Sequence, residues 1–262
     1  MKPDHPSPSN DRSITGIEGL DSILAGGLPP GCFYLVQGDP GSGKTTFALQ
    51  FLLQGVAHDE SCFYITLSET KQELEKVARS HGWSLNGIPM LELSAIESLL
   101  HPDAQTTVFH PSEVDLKKIT QLLTEQARKI KPVRVVFDSL SEMRLMAENP
   151  LRYRRQLLSL KQEFARLGST VLLLDDKMDR AGVRADPHIM SLSHGVIEME
   201  QLAPDYGISR RRLRIFKLRG VKFREGWHDY SILTGGLQVF PRLIAAEHHV
   251  DFKREPSSSG IK

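Results

Sequence analysis

Cysteine is scarce: Cys32 and Cys62 are the only two in 262 residues. They are too few for a disulfide scaffold and are not spaced as metal ligands, so both are expected to pack as small apolar side chains. Long apolar runs are missing too. The longest, residues 32–36, spans five residues, against the roughly 18 to 20 that a membrane-crossing helix needs, and the N-terminus carries no apolar signal-like stretch. Neither sign of charge is in excess, with 33 Lys and Arg against 32 Asp and Glu for a net +1. No global field draws the chain to nucleic acid or a membrane, and any basic function must be local. Internal repeats are also lacking. What is present is ordinary globular usage, 40% hydrophobic and 25% charged, which excludes disordered and fibrous classes. The expectation is a soluble, cytoplasmic protein with one generous α/β domain.

Residues 1–12 hold Pro3, Pro6 and Pro8 among polar neighbours, and 247–262 are charged and then Ser-rich. Both are expected to be loose tails around a domain at 13–246. Within it, β-rich segments at 32–37, 61–67, 133–138 and 170–175 alternate with helix-like ones at 45–56, 71–81 and 151–167. This alternation predicts a mostly parallel sheet with helices on both faces. Thr70 and Glu73 form a capping-box pair at one helix start, and Leu157, Leu158, Leu160 and Phe164 recur at helical spacing in another. From Arg211 onward the pattern is strand-like, with Gly235-Gly236 as a turn, and predicts an antiparallel C-terminal extension.

Gly38-Asp39-Pro40-Gly41-Ser42-Gly43-Lys44-Thr45 matches G-x-x-x-x-G-K-[ST] at every fixed position. By chance the pattern turns up in roughly 1 in 100 chains of this length, but here it follows a strand and opens a helix, the context a phosphate loop requires. The glycines let successive backbone N–H groups turn inward toward phosphate oxygens, and the helix adds its positive end. Lys44 is then expected to bridge the terminal phosphates and the Thr45 hydroxyl to bind Mg²⁺, with Thr46 next to it in the nucleotide-binding set. Asp138, closing an apolar strand, is the candidate for the second Mg²⁺ contact, through water. Glu69 follows the strand at 61–67, at the edge where open α/β sheets bind ligands. Two readings stand for it: a base that deprotonates the attacking water, or an acid in the first turn of the next helix.

In combination these residues resemble the RecA-type P-loop ATPases, and within them the KaiC family of clock-protein domains and single-domain relatives. The likeness is carried by Thr15-Gly16-Ile17, Gly19-Leu20-Asp21, Gly26-Gly27-Leu28-Pro29, the P-loop, residues 63–69, Ala78-Arg79-Ser80-His81-Gly82-Trp83, Phe137-Asp138-Ser139-Leu140 and Lys217-Leu218-Arg219-Gly220. It runs from about Ser13 to Arg242. The resemblance implies a RecA-like fold and rings, commonly hexamers, with ATP between neighbours. It adds Ser80 and Leu218 to the nucleotide contacts and gives Lys217 and Arg219 the part of catalytic cations reaching an adjacent subunit's γ-phosphate, beside Lys44 and Glu69. Two residues apart on a strand, Lys217 and Arg219 are expected to share a face. Eight basic residues and no acid lie in 210–224, which predicts a local positive surface, with a solvated basic strand as the plainer alternative.

The sequence also departs from the family. Ser68 occupies the first of two positions where the clock ATPases carry adjacent glutamates, leaving Glu69 alone and pointing to slow hydrolysis or a single base. Val221-Lys222-Phe223 replaces Ser/Thr-Ser-His, and Met190-Ser191 stands where the second clock domain has adjacent Ser and Thr phosphoacceptors, leaving one hydroxyl, so autokinase activity is not supported. A nucleotide sensor with little turnover stays open. So does a RecA/Rad-type recombination factor, although the 177–193 segment balances Lys177, Arg180 and Arg184 against Asp179 and Asp186. The expected partners are further copies of the chain and an unidentified protein, with nucleic acid not favoured and no membrane. Ten histidines show no zinc-site spacing: His188 and His194 are six apart, and His248-His249 lies near the end. The basic helix at 151–167, with Arg152, Arg154, Arg155, Lys161 and Arg166, reads as a surface amphipathic helix rather than a DNA contact.

Overall fold

The computed structural model describes residues 12–100, 116–147, 149–177, 187–203 and 206–243. The expected tails, apart from Arg12, lie outside the described residues, as do Asp179, Arg180, Arg184, Asp186 and His248-His249. A nine-stranded sheet has the order β3-β2-β4-β5-β1-β6-β7-β8-β9. The strands are β1 (Phe33–Gly38), β2 (Cys62–Thr66), β3 (Met90–Glu92), β4 (Arg134–Asp138), β5 (Thr170–Asp176), β6 (Gly195–Leu202), β7 (Arg210–Leu218), β8 (His228–Leu233) and β9 (Gly236–Phe240). The first six are parallel, and β7, β8 and β9 each pair antiparallel to the strand before. The expected class is therefore observed: a RecA-like α/β sheet with an antiparallel C-terminal extension.

Every residue of β1, β2 and β4 is buried, as a parallel strand covered on both faces requires. Alternate side chains serve two cores. Tyr34 and Val36 pack with Phe47, Leu49 and Phe51 of α2 (Lys44–Val56) and with α1 (Leu20–Ile23) and α3 (Lys71–Ser80). Phe33 and Leu35 pack on the opposite face, which also takes in α4 (Leu93–Leu100), α5 (Leu116–Ile130), α6 (Leu140–Met146), α7 (Pro150–Leu167) and Ile189 of α8 (Pro187–Leu192). The capping box at Thr70 and Glu73 is formed, and Tyr153, Leu157, Leu160 and Phe164 make the buried stripe of α7. Cys62 is buried among apolar neighbours, whereas Cys32 is half-buried. Among the described residues no helix is long and apolar enough to cross a membrane.

At the amino edge of β4, Arg134 is 2% exposed and ion-pairs with Glu60. Its guanidinium donates to the carbonyls of Ile14 (2.6 Å) and Phe51 (2.9 Å) and lies over the Phe51 ring. This buried charge joins the N-terminal segment, α2 and the start of β2. Its carbonyl partners and Glu60 satisfy a group that would otherwise carry a large desolvation cost.

Candidate functional site

The phosphate loop spans the end of β1 and the start of α2, so its backbone leaves the sheet between β5 and β6 and turns straight into a helix N-terminus. Gly43 has φ 94°, and a Cβ there would stand 2.6 Å from Ile232 Cδ1. Only glycine meets both constraints. The loop is backed by the antiparallel extension: the Tyr230 hydroxyl on β8 donates to the Ser42 carbonyl at 2.5 Å. Lys44 Nζ donates to the Gly38 (2.9 Å) and Asp39 (3.1 Å) carbonyls and ion-pairs with Asp176 at 2.9 Å. Thr45 is half-buried and Thr46 buried at the first turn of α2, while Pro40 and Gly41 form the exposed tip.

Three carboxylates surround this lysine. Asp138 closes β4, is 6% exposed and accepts from the Tyr64 hydroxyl at 2.7 Å. Burial raises its pKa, the Tyr64 bond and the Lys44 charge oppose the rise, and Asp176 adds to it. Glu69 is set by Thr66, whose hydroxyl accepts from the Glu69 N–H (2.9 Å) and donates to its carbonyl (2.7 Å), a local side-chain turn just past the end of β2. Glu69 precedes the N-cap Thr70, and the first-turn acid of α3 is Glu73. The helix-start reading of Glu69 is thus not what the chain does. Its Oε2 is buried without a hydrogen-bond partner. Burial first, then the Asp138 and Glu73 charges, push its carboxyl up to about 7, against the pull of Lys44.

Asp176 was not singled out by sequence reasoning. It closes β5, the strand between Asp138 and the phosphate loop in the sheet order. The Ser141 hydroxyl of α6 bonds Asp175 (2.9 Å) and reaches Asp176 (3.4 Å), and Arg144 pairs with Asp175 at 2.7 Å. The only available signal was an acid at the end of an apolar strand, the same signal that marked Asp138.

The set is chemically suited to Mg²⁺ bound with phosphate. Thr45 and Asp138 are hard oxygen donors, and few protein ligands are needed where substrate phosphates and water complete the shell. Among the described residues no group of three or more His, Cys, Asp or Glu is arranged to hold a metal by itself.

A family profile described as the KaiC ATPase matches residues 13–244. The chain belongs to this family. It is 31% identical to the circadian clock oscillator protein KaiC of Thermostichus vulcanus, the match covering 99% of this chain and 51% of that protein. It is also 31% identical to KaiC of Synechococcus elongatus, over 90% of this chain and 46% of the relative. The chain thus spans about half the length of the curated relatives it matches. Its fold superimposes on a KaiC-like protein of Pyrococcus horikoshii with a TM-score of 0.72, covering 88% of this chain and 99% of the other at 24% identity.

The remaining residues of the KaiC resemblance lie elsewhere. Leu218 pairs with Gly195, which pairs with Tyr34 near the start of β1, whereas the phosphate loop begins at Gly38. Lys217 and Arg219 therefore sit at the opposite edge of the sheet from their own phosphate loop, about 13 Å away along the strands. They do share a face, both reaching α8: Lys217 donates to the carbonyls of Met190 (2.6 Å) and Ser193 (2.7 Å), and Arg219 to Ser191 (2.9 Å). The Leu218 side chain is buried in the core. Ser80, exposed at the end of α3, donates to the Val77 carbonyl at 2.7 Å.

The positive surface expected over 210–224 is neutralised at three of its eight cations. Arg210 pairs with Asp229, Arg212 with Glu200 and Arg214 with Glu198. Arg212 and Arg214 also flank the Trp227 ring at 4.5 and 4.6 Å. The acids come from β6 and β8, outside the basic segment, so a count confined to that segment could not see them.

Proposed function

We propose that the protein is a Mg²⁺-dependent ATPase that works as a head-to-tail ring, a hexamer by resemblance, with each ATP shared between neighbouring subunits. The backbone of Gly38, Asp39, Pro40, Gly41, Ser42 and Gly43 wraps the phosphates. Lys44 exchanges Asp176 for the terminal phosphates. Thr45, and Asp138 through water, would hold Mg²⁺, which would supply charge neutralisation to the phosphates. Glu69 takes a proton from the attacking water as its oxygen bonds to the γ-phosphorus and the bond to the leaving ADP oxygen breaks. The observation that carries this reading is Glu69: a carboxylate with a buried, unpartnered oxygen and a pKa pushed up to about 7, near Lys44 and Asp138, is poised to accept a proton at neutral pH.

The shared site rests on the opposed edges. A phosphate loop on one edge and Lys217 with Arg219 on the other cannot meet in one subunit, but meet when one copy docks its loop edge on the next copy's finger edge. That contact is heterologous and closes into a ring when its rotation permits. Specific activity is then expected to rise with protein concentration, and ATP to favour assembly. Mixing inactive Lys44→Ala with inactive Arg219→Ala should restore part of the turnover, because some interfaces pair an intact loop with an intact finger. No recovery among subunits shown to exchange would refute the shared site. Ser68 in place of a second glutamate, together with the Lys44–Asp176 pair, favours a second reading as a slow-turnover nucleotide sensor acting on a protein partner, and the same assay gives its rate.

A further inference from the structure

Four consecutive backbone carbonyls, those of residues 190–193 at the end of α8, each receive a cationic side chain. Lys217 takes Met190 and Ser193, Arg219 takes Ser191, and Lys161 of α7 takes Leu192. Lys161 is the newcomer, since Lys217 and Arg219 come from the strand-end motif while Lys161 comes from a helix, 56 residues before Lys217. Among the described residues no carboxylate pairs with any of the three. Like charges at close quarters repel: burial and then Arg219 pull the pKa of Lys161 down, and burial, Arg219 and Lys161 that of Lys217. His194, next in the chain, is lowered by burial and then by Lys161, Arg219 and Lys217. Carbonyl dipoles at a helix C-terminus attract cations, but they carry no net charge to balance three of them. Among the described residues the cluster is therefore underneutralised and suited to an anion, at the edge that would face a neighbour's nucleotide. The facing edge carries Glu69, Asp138, Asp176 and the phosphates, of opposite sign.

We propose that Lys161 is a positioning residue of the shared site: anchored on the Leu192 carbonyl, it holds the 190–193 turn as the seat from which Lys217 and Arg219 are presented to the γ-phosphate of the adjacent subunit. This rests on the shared-site reading and goes beyond it, because it gives a helix residue outside the finger motif a part in the reaction. When phosphate arrives, Lys217 and Arg219 exchange carbonyl oxygens for phosphate oxygens. Lys161 keeps the turn in place, so the exchange moves two side chains and no backbone. Removing the anchor should misplace both fingers while leaving the subunit's own phosphate loop untouched.

The test compares Lys161→Met and Lys161→Arg in the full chain under assembling conditions, with ATP affinity of the phosphate loop measured alongside turnover as a check on folding. Lys161→Met should bind ATP at its own phosphate loop no more weakly than Arg219→Ala does and lose about 10- to 100-fold in kcat, the scale of a small misplacement of a catalytic group. Lys161→Arg, which can still reach the carbonyl, should recover most of that loss. Mixing Lys161→Met with Lys44→Ala should restore turnover, because the defect lies in the finger and not in the loop. Wild-type kcat in Lys161→Met, with Arg219→Ala inactive, overturns the part assigned to Lys161 and leaves the shared site standing. A loss in Lys161→Met that mixing does not relieve overturns it as well, because the defect then acts on the same subunit. Wild-type turnover in Arg219→Ala removes the shared site itself and this proposal with it. Should Lys161→Met fail to fold, Lys161→Gln, which keeps a donor of shorter reach, is read by the same criteria.

Discussion

Replacing Glu69 by glutamine tests catalysis and stability together. Burial, with the Asp138 and Glu73 charges, lifts this carboxyl from 4.5 to about 7, a difference that solvent screening at this half-buried side chain holds to about 1–2 kcal/mol between its neutral and charged forms. In the unfolded chain the proton leaves near pH 4.5, while the folded chain keeps it until about 7. Between those values the folded state binds more protons, so stability falls as pH rises through the window. The folded state suffers no charge penalty below pH 4.5 and the full penalty above 7. Glutamine carries no such charge. Glu69→Gln should therefore match the wild type at pH 4 and be more stable by about 1–2 kcal/mol at pH 8, because the buried oxygen no longer has to be ionised. Turnover should move the other way. The amide keeps the shape but accepts no proton, and loss of a general base costs about 10² to 10⁴ in rate. The wild-type kcat should itself rise through pH 7 as the carboxylate forms. Urea unfolding of both proteins without nucleotide from pH 4 to 9, beside ATP turnover over the stable part of that range, measures each half. A stability difference independent of pH would show that the group is not desolvated as described, and an unchanged kcat would remove Glu69 from the reaction.

Lys44→Ala should abolish ATP binding by calorimetry while leaving the circular dichroism spectrum intact, since this side chain meets loop carbonyls and Asp176 rather than the core; retained affinity would sink the phosphate-loop assignment. Asp176→Asn should tighten ATP binding by about two- to fivefold, because it frees Lys44 from a half-exposed ion pair of about 0.5–1 kcal/mol; weaker binding would mean that Asp176 helps to hold the ligand. Gly43→Ala should cost about 1–3 kcal/mol of stability and most of the ATP affinity, because its φ of 94° and its contact with Ile232 leave no room for a Cβ; an unchanged urea midpoint would contradict the packing of β8 against the loop.

Much of the site was legible along the chain because its signals are local. A glycine-rich loop between a strand and a helix, an acid closing an apolar strand, and a Thr-Glu capping pair each declare themselves within a few residues, and backbone geometry enforces them wherever they occur. The parallel sheet followed from the alternation of strand and helix patterns, and the antiparallel extension from the change of pattern after Arg211. The order of strands decided the rest. It set β5 between β4 and β1 and so brought Asp176 to Lys44, and it laid β8 beside the loop so that Tyr230 could support Ser42. It placed Glu198 and Glu200 opposite Arg214 and Arg212, neutralising two cations of a run that reads as bare positive charge in one dimension. It also carried Lys161, Lys217 and Arg219 to one turn at the edge away from the phosphate loop. Charge and hydrogen bonding act through space over a few ångströms, so partners separated by tens of residues are chosen only when the sheet is assembled.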